Sequence, residues 1–381
     1  MIPVTKAYLP NKEKFQAYVD QIFDSGWLTN KSTLLNQLEI RLAKHLGVKN
    51  IICVANGSLA LQVAYKALSL KGEVITTPFS FPATVSTQVW EGLTPVFADI
   101  DPISFNLAPE NIEPLITSRT SAIVPVHVYG NPCEVDSIQA IADKYQLKVI
   151  YDAAHAFGTL IKGVEGSHQS VLKYGDISTI SFHATKLFHT VEGGAIVTND
   201  DSLANKVRLL INFGITGKST IQSLGINAKM NEFEAAMGLC VLDEIENISD
   251  MRSKVWQKYQ HGLNDVVEMQ AWHPGSSNNC AYAPVLLKSE QQLLELVDKL
   301  NHIGVSPRRY FYPSLDTLDF LPNASIGSKD GWHNDQKALC TVSNDIARRI
   351  LCLPIYPDID DQIVDLIIAT IRKNTQLGKE E

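Results

Sequence analysis

Cysteine is scarce: Cys53, Cys133, Cys240, Cys280, Cys340 and Cys352 are dispersed through 381 residues, and none forms a CxxC pair. Several lie in apolar runs such as Ile51-Ile52-Cys53-Val54, so they read as buried free thiols rather than a disulfide framework or zinc site. Basic blocks are lacking too. The nearest, Arg308-Arg309, is one pair, and the formal charge is −8, which argues against a nucleic-acid partner. No apolar run approaches the roughly 18 residues of a membrane span. The opening Met1-Ile2-Pro3-Val4-Thr5-Lys6 has no basic region leading into an apolar core, so a cytoplasmic protein with no membrane partner is expected. Internal repeats and low-complexity tracts are also missing.

What is present is a globular balance of 45% apolar and 19% charged residues, over a length that fits two domains of about 100–200 residues each. From about residue 34 to 212, short β-branched runs alternate with helical patterns. The strand-like runs are Ile51–Val54, Val74–Thr77, Ala122–Val128, Lys148–Tyr151 and Ser178–Phe182. The helical patterns are Leu59–Leu70, Ala83–Trp90 and Val135–Tyr145. This alternation predicts an α/β fold with a mostly parallel central sheet, and runs apolar on both faces predict helices on each side. Asn231–Ile248 reads as one helix, continued over 250–262. Beyond it, a strand over Ala281–Leu287, a helix over Gln291–Ile303, a loop-rich stretch from Pro307 to Asp335 and a final helix near 361–373 suggest a smaller α+β unit. The expected division is 1–250 and 251–381, with 322–335 a surface loop.

Four local features carry chemistry, and each alone has a plainer reading. Asn56-Gly57-Ser58 joins an apolar strand to an apolar helix. Gly57 can take a strained turn and Ser58 can serve as N-cap, leaving a helix N-terminus for a phosphate; an ordinary strand-to-helix turn looks the same. Asp152 ends the run Val149-Ile150-Tyr151 and precedes Ala153-Ala154-His155, where a parallel sheet places ligands. Asp152 could hold a protonated pyridine nitrogen, or simply cap a helix, and His155 alone reads as a hydrogen-bonded core histidine. Lys186 closes Ser181-Phe182-His183-Ala184-Thr185 and precedes Gly193-Gly194. A desolvated lysine is a nucleophilic amine that forms a Schiff base with an aldehyde, although a lone lysine is more often solvated. The stretch from Ile75 to Thr84 puts Phe79 and Phe81 after a strand, for stacking on a ring or for core packing. Together these are the parts that a pyridoxal-phosphate (PLP) site needs.

The chain resembles the DegT/DnrJ/EryC1/StrS sugar aminotransferases, whose fold is PLP-dependent transferase type I, aspartate aminotransferase-like. The resemblance rests on Ser181–Lys186, Glu192-Gly193-Gly194, Asp152–Gly158, Gly225-Ile226-Asn227-Ala228-Lys229-Met230-Asn231-Glu232 and Pro125–Gly130. It implies PLP as cofactor, bound to Lys186, with Asp152 on the ring nitrogen, His155 on the ring hydroxyl and Phe81 stacked on the ring. Gly57, Ser58 and Ser181 would bind the phosphate, and Asn227 would reach the phosphate of a neighbouring subunit in a homodimer with shared sites. Substrate contacts are expected from Thr29, His183, Arg308 and Tyr310. Where the family commonly carries a Gly-Pro pair, this chain has Trp27-Leu28-Thr29-Asn30-Lys31-Ser32. Ala228-Lys229 replaces its usual Tyr-Arg.

The implied reaction moves an amino group from L-glutamate to a nucleotide-linked 4-keto-6-deoxy sugar, giving dTDP-4-amino-4,6-dideoxyglucose. A 3-keto sugar is the near alternative. A dehydratase on the same fold would carry histidine in place of Lys186, and a non-catalytic regulator would have lost parts of the cofactor set. A metal hydrolase built on His183 and His189 would lack an acidic partner pattern.

Overall fold

The computed structural model describes residues 1–163, 166–319, 321 and 340–376. Seven strands form the central sheet: β1 Asn50–Val54, β2 Glu73–Thr76, β3 Thr94–Phe97, β4 Thr120–Val124, β5 Lys148–Asp152, β6 Ile177–Ser181 and β7 Gly194–Thr198. Their order across the sheet is β1-β7-β6-β5-β4-β2-β3. β7 pairs antiparallel with both β1 and β6, and the remaining neighbours are parallel. The expected mostly parallel sheet is therefore present, with a single reversed strand.

Both faces are covered, as the doubly apolar strands require. Ile75, Ile123 and Val149 face one core with Leu38, Leu42, Ile138 and Leu239. Those last four come from α2 Thr33–Leu46, α5 Val135–Tyr145 and α7 Glu232–Asp243. The alternate strand residues Val74, Val124 and Ile150 face a second core with Ala60, Ala64 and Val207, from α3 Gly57–Ala67 and α6 Asp201–Leu210. Flanking these are α1 Lys12–Ser25 and α4 Pro82–Trp90. α1 and α2 stop at Gly26 and Gly47, whose left-handed φ of 65° and 61° suit glycine.

A third core gathers Val255, Tyr259, Leu293, Leu296, Ile367 and Ile371, from α8 Ile245–Leu263, α9 Glu290–His302 and α11 Asp361–Gln376; α10 spans Thr341–Arg349. Against it lies a small antiparallel sheet of β8 Glu268–Met269, β9 Pro284–Leu286 and β10 Ile350–Cys352. The residue 250/251 division falls inside α8, whose later turns pack into this C-terminal core. Ile2–Pro3 also belongs there spatially, paired with Val305–Ser306.

Three expectations need correction. The helix expected over Asn231–Ile248 is two, broken at Glu244 (φ −110°, ψ 4°). The Glu244 carboxylate accepts from Asn11 N–H at 3.1 Å and from the Tyr8 hydroxyl, a contact across the chain that apolar spacing cannot disclose. The strand expected over Ala122–Val128 ends at Val124, because Pro125 has no N–H to continue the ladder. Only Pro284–Leu286 of Ala281–Leu287 is strand. The expected loop 322–335 lies outside the described residues. No helix among the described residues is long and apolar enough to cross a membrane.

Glu232 joins helices distant in sequence. Ser32, the N-cap of α2, makes no side-chain cap bond. Instead the buried Glu232 carboxylate accepts from Leu34 N–H at 2.8 Å and Leu35 N–H at 3.3 Å. Glu232→Ala strands both donors and is expected to lower stability by about 1–3 kcal/mol, read as a smaller midpoint in urea unfolding; Glu232→Gln should lose less.

Candidate active site

The strand directions bring one edge of the sheet to a focus. The carboxyl ends of β1 to β6 lie there, and because β7 runs the other way, its first residue Gly194 joins them, paired with Val54 and Ser181. A cavity of about 270 Å³ opens at this edge, lined by Gly57, Ser58, Phe81, Asp152, His155 and Ser181, with Lys186 inside it. Two further walls come from the C-terminal part, through Tyr282 and the Arg308–Phe311 segment. The cavity is thus walled by residues far apart in the chain, at the edge of the sheet where a parallel α/β fold places small-molecule sites.

Asp152 is buried at the end of β5. Its Oδ2 accepts from the Thr84 hydroxyl at 2.7 Å and its Oδ1 from Ala154 N–H at 3.2 Å. Ser80 and Thr84 share a further hydroxyl bond at 2.6 Å. Burial nevertheless holds the Asp152 carboxyl above its ordinary pKa, so the site favours a cation against it. Lys186 does not close a strand; it lies in the turn beyond β6, fixed by Lys186 N–H to the His183 carbonyl at 2.8 Å. Its Nζ donates to Tyr282 Oη at 3.2 Å. Desolvation, opposed by Asp152 and helped by the charge of Arg308, brings the amine down to about 8. About a tenth of it is therefore uncharged and nucleophilic at pH 7, and about half at pH 8.

The N-terminus of α3 faces the same cavity. Asn56, not Ser58, is its N-cap: the Asn56 side chain accepts from Leu59 N–H at 2.9 Å, and its carbonyl takes Ala60 N–H. The N–H groups of Gly57 and Ser58 remain at the positive end of the helix, an anion site. The glycine requirement comes from proximity rather than from a strained turn. A Cβ on Gly57 would lie 3.0 Å from Ser181 Cβ, and one on Gly194 would lie 2.7 Å from the Asn56 carbonyl carbon. Ser181 thereby adds a hydroxyl beside the same N–H groups.

His155 is buried, and its Nδ1 accepts from Tyr129 N–H at 3.3 Å, which leaves the proton on Nε2. Burial first, then the charge of Lys186, keeps the ring neutral. Phe81, half exposed at the N-terminus of α4, lines the cavity mouth. His183 is exposed at the rim, 3.6 Å from Glu192. Arg308 reaches over the Tyr310 ring at 4.6 Å and has no ion-pair partner among the described residues. Thr29 and Asn227 are exposed and do not line this cavity. His189 is committed elsewhere, its Nε2 bonded to the Tyr8 carbonyl at 2.7 Å and its Nδ1 accepting from Val191 N–H.

Sequence reasoning missed Thr84, Tyr282 and Phe311 as individual site residues. Thr84 falls within the aromatic stretch already singled out, and Phe311 lies next to Tyr310. Tyr282 lies in an apolar run with no local signal.

The residues fit PLP on structural grounds: a desolvated amine, a buried carboxylate that favours a cation, and, without partners among the described residues, a neutral imidazole's Nε2–H and the first N–H groups of α3 for a phosphate. The model of the DegT/DnrJ/EryC1/StrS aminotransferase family matches residues 10–372. The chain is 42% identical over 376 residues to a dTDP-4-amino-4,6-dideoxy-D-glucose transaminase of Shigella dysenteriae, covering 97% of this chain and 98% of that one. It is 39% identical to the Escherichia coli protein of that name, covering 95% and 96%. Among solved structures, DesI in the presence of its TDP-sugar product superposes with a TM-score of 0.90 at 32% identity, over 100% of this chain and 94% of that one.

A lysine held at about 8 against an ordinary 10.5 binds fewer protons folded than unfolded between those pH values. Stability therefore rises with pH across that window, and the burial of Lys186 is most unfavourable below pH 8. In the cofactor-free chain, Lys186→Met is expected to raise stability at pH 7 by roughly 1–3 kcal/mol. The gain should shrink above pH 8 when unfolding is followed by calorimetry.

Proposed function

The chain belongs to the DegT/DnrJ/EryC1/StrS aminotransferase family, and from that premise we propose that it transfers the amino group of L-glutamate to a nucleotide-linked 4-keto-6-deoxy sugar, giving dTDP-4-amino-4,6-dideoxyglucose. The observation that carries this reading is that the Lys186 amine and the Asp152 carboxylate, far apart in sequence, share one cavity with the free N-terminus of α3. The substrate assignment is supported by the likeness to the two dTDP-4-amino-4,6-dideoxy-D-glucose transaminases.

PLP supplies an aldehyde that captures amines and a ring that draws electrons from the captured carbon. The protein's own groups do the rest. Lys186 Nζ would hold the cofactor through its aldehyde carbon, and as a free amine it would take the proton from the donor's α-carbon. Its depressed pKa suits both tasks. Asp152, oriented by Thr84 and Ala154, would hold a proton on the ring nitrogen. His155 would offer Nε2–H to the ring hydroxyl. Gly57, Ser58 and Ser181 would bind the phosphate, and Phe81 would cover the ring from the cavity mouth. Arg308, with no ion-pair partner among the described residues and close enough to act on Lys186, would take an anionic group of the substrate, with Tyr310 beneath it and His183 at the rim. Thr29 would contact substrate across a subunit boundary.

Asn227 would complete the phosphate site of a second copy in a homodimer. Exposed apolar side chains near it and near Thr29, including Trp27, Leu28, Phe213, Ile221, Leu224 and Phe233, support a partner on that side. The enzyme would act in the cytoplasm, where nucleotide sugars are made.

Incubation with glutamate and a panel of dTDP-, UDP- and GDP-linked keto sugars, with products read by mass spectrometry and NMR, is expected to give the 4-amino dTDP sugar. An exclusively 3-amino product would refute the site of amination, and a nitrogen-free product would refute transfer itself. Borohydride should fix PLP on the peptide containing Lys186. In Lys186→Ala that label should vanish, with a loss of kcat of at least about a thousandfold. Asn227→Ala is expected to weaken PLP binding, measured by cofactor titration, while Lys186 remains labelled at saturation.

A further inference from the structure

Arg252 of α8 is 3% exposed, and among the described residues no carboxylate is paired with it. A guanidinium buried without a counter-anion is strongly disfavoured, and burial lowers its pKa to about 10. Two carbonyl groups compensate: Arg252 Nε donates to Cys280 O at 3.1 Å and Nη2 to Ala281 O at 2.6 Å. Both lie immediately before Tyr282. Cys280 has φ +53°, a conformation uncommon for a residue with a side chain, so the backbone is turned out of the strand that starts at Pro284.

The same segment is held from the opposite side. Asn279 Nδ2 donates to His155 O at 2.7 Å and Phe157 O at 3.0 Å, while its Oδ1 accepts from Ala281 N–H at 3.1 Å. Residues 279–281 are thus clamped between α8 and the loop that carries His155. Tyr282 emerges from the clamp with its ring 4.3 Å from that of His155 and its hydroxyl 3.2 Å from Lys186 Nζ.

We propose that Arg252 is a positioning residue for aminotransfer: its fork on the carbonyls of Cys280 and Ala281 sets the Tyr282 hydroxyl against Lys186 Nζ, and so governs the protonation and aim of that amine. Tyr282 Oη accepts from Nζ, which stabilises the ammonium form and keeps the amine turned toward the cavity. Arg252 acts through this hydroxyl and not by its own charge, since an added cation would push the Lys186 pKa the other way. The proposal rests on Lys186 as the reactive amine of the function given above.

The test is competitive labelling of the cofactor-free chain with acetic anhydride across pH, read at Lys186 by mass spectrometry, together with kcat of the PLP-loaded enzyme. Tyr282→Phe is expected to shift the Lys186 titration downward, because the ammonium loses its oxygen partner, and to lower kcat by about three- to tenfold. Arg252→Met should shift the titration in the same direction, and the double variant should go no further than Tyr282→Phe alone. Arg252→Lys, a cation without the fork, should fall between; if Arg252→Met does not fold, Arg252→Lys with and without Tyr282→Phe gives the same comparison. Reduced melting temperature with an unchanged Lys186 titration would leave Arg252 as packing only and overturn the proposal. So would multiplicative effects in the double variant, or an upward shift in Arg252→Met. Labelling requires neither PLP nor substrate, so failure of aminotransfer with these shifts intact would count against the reaction assigned and not against the role of Arg252.

Discussion

A lysine and an aspartate taken out of water and left facing one cavity are the constraint around which this structure is organised. Each is disfavoured in its charged form by burial, and each offsets part of the other's penalty. The balance brings the titration of the Lys186 amine down to about 8 while leaving Asp152 in need of a cation. Neither condition is met in solvent, where lysine stays protonated and a carboxylate needs no partner. The chemistry thus originates in desolvation, and desolvation requires walls.

The walls come from two different parts of the chain. The sheet supplies the floor and the anion site, because reversal of β7 places Gly194 beside Val54 and Ser181 rather than at the opposite edge. Its missing side chain lets the start of α3 come close to β7. The C-terminal part supplies Tyr282, Arg308 and Phe311 as the facing wall. α8 links the two, since it begins against the large core and ends in the small one. A buried arginine on that helix lies where the small part must be aligned with Lys186, so the alignment and the reactivity of the amine share one set of bonds.

The same logic accounts for polar groups buried elsewhere. Glu232 caps a helix from a distant part of the chain. Asp99 likewise accepts from Val342 and Ser343 N–H at the start of α10, both at 2.9 Å. Such carboxylates satisfy helix donors where local sequence offers no cap. They also tie together segments that hydrophobic packing alone would leave free to slide.

Much of this was legible in the residues alone. The strand–helix alternation, the bounds of Val135–Tyr145, and Gly57, Asp152 and Lys186 as one constellation follow from patterns within a few residues of each position, which the chain carries wherever it goes. The helix break at Glu244 and the place of Tyr282 in the site were decided only in three dimensions. Each depends on a partner supplied by folding: Tyr8 and Asn11 for Glu244, Lys186 and Arg252 for the stretch before Pro284. Local spacing records the period of an element and the residue types at its ends. It holds no record of which distant groups will compete for a carbonyl, a carboxylate or an amine once water has been removed from between them.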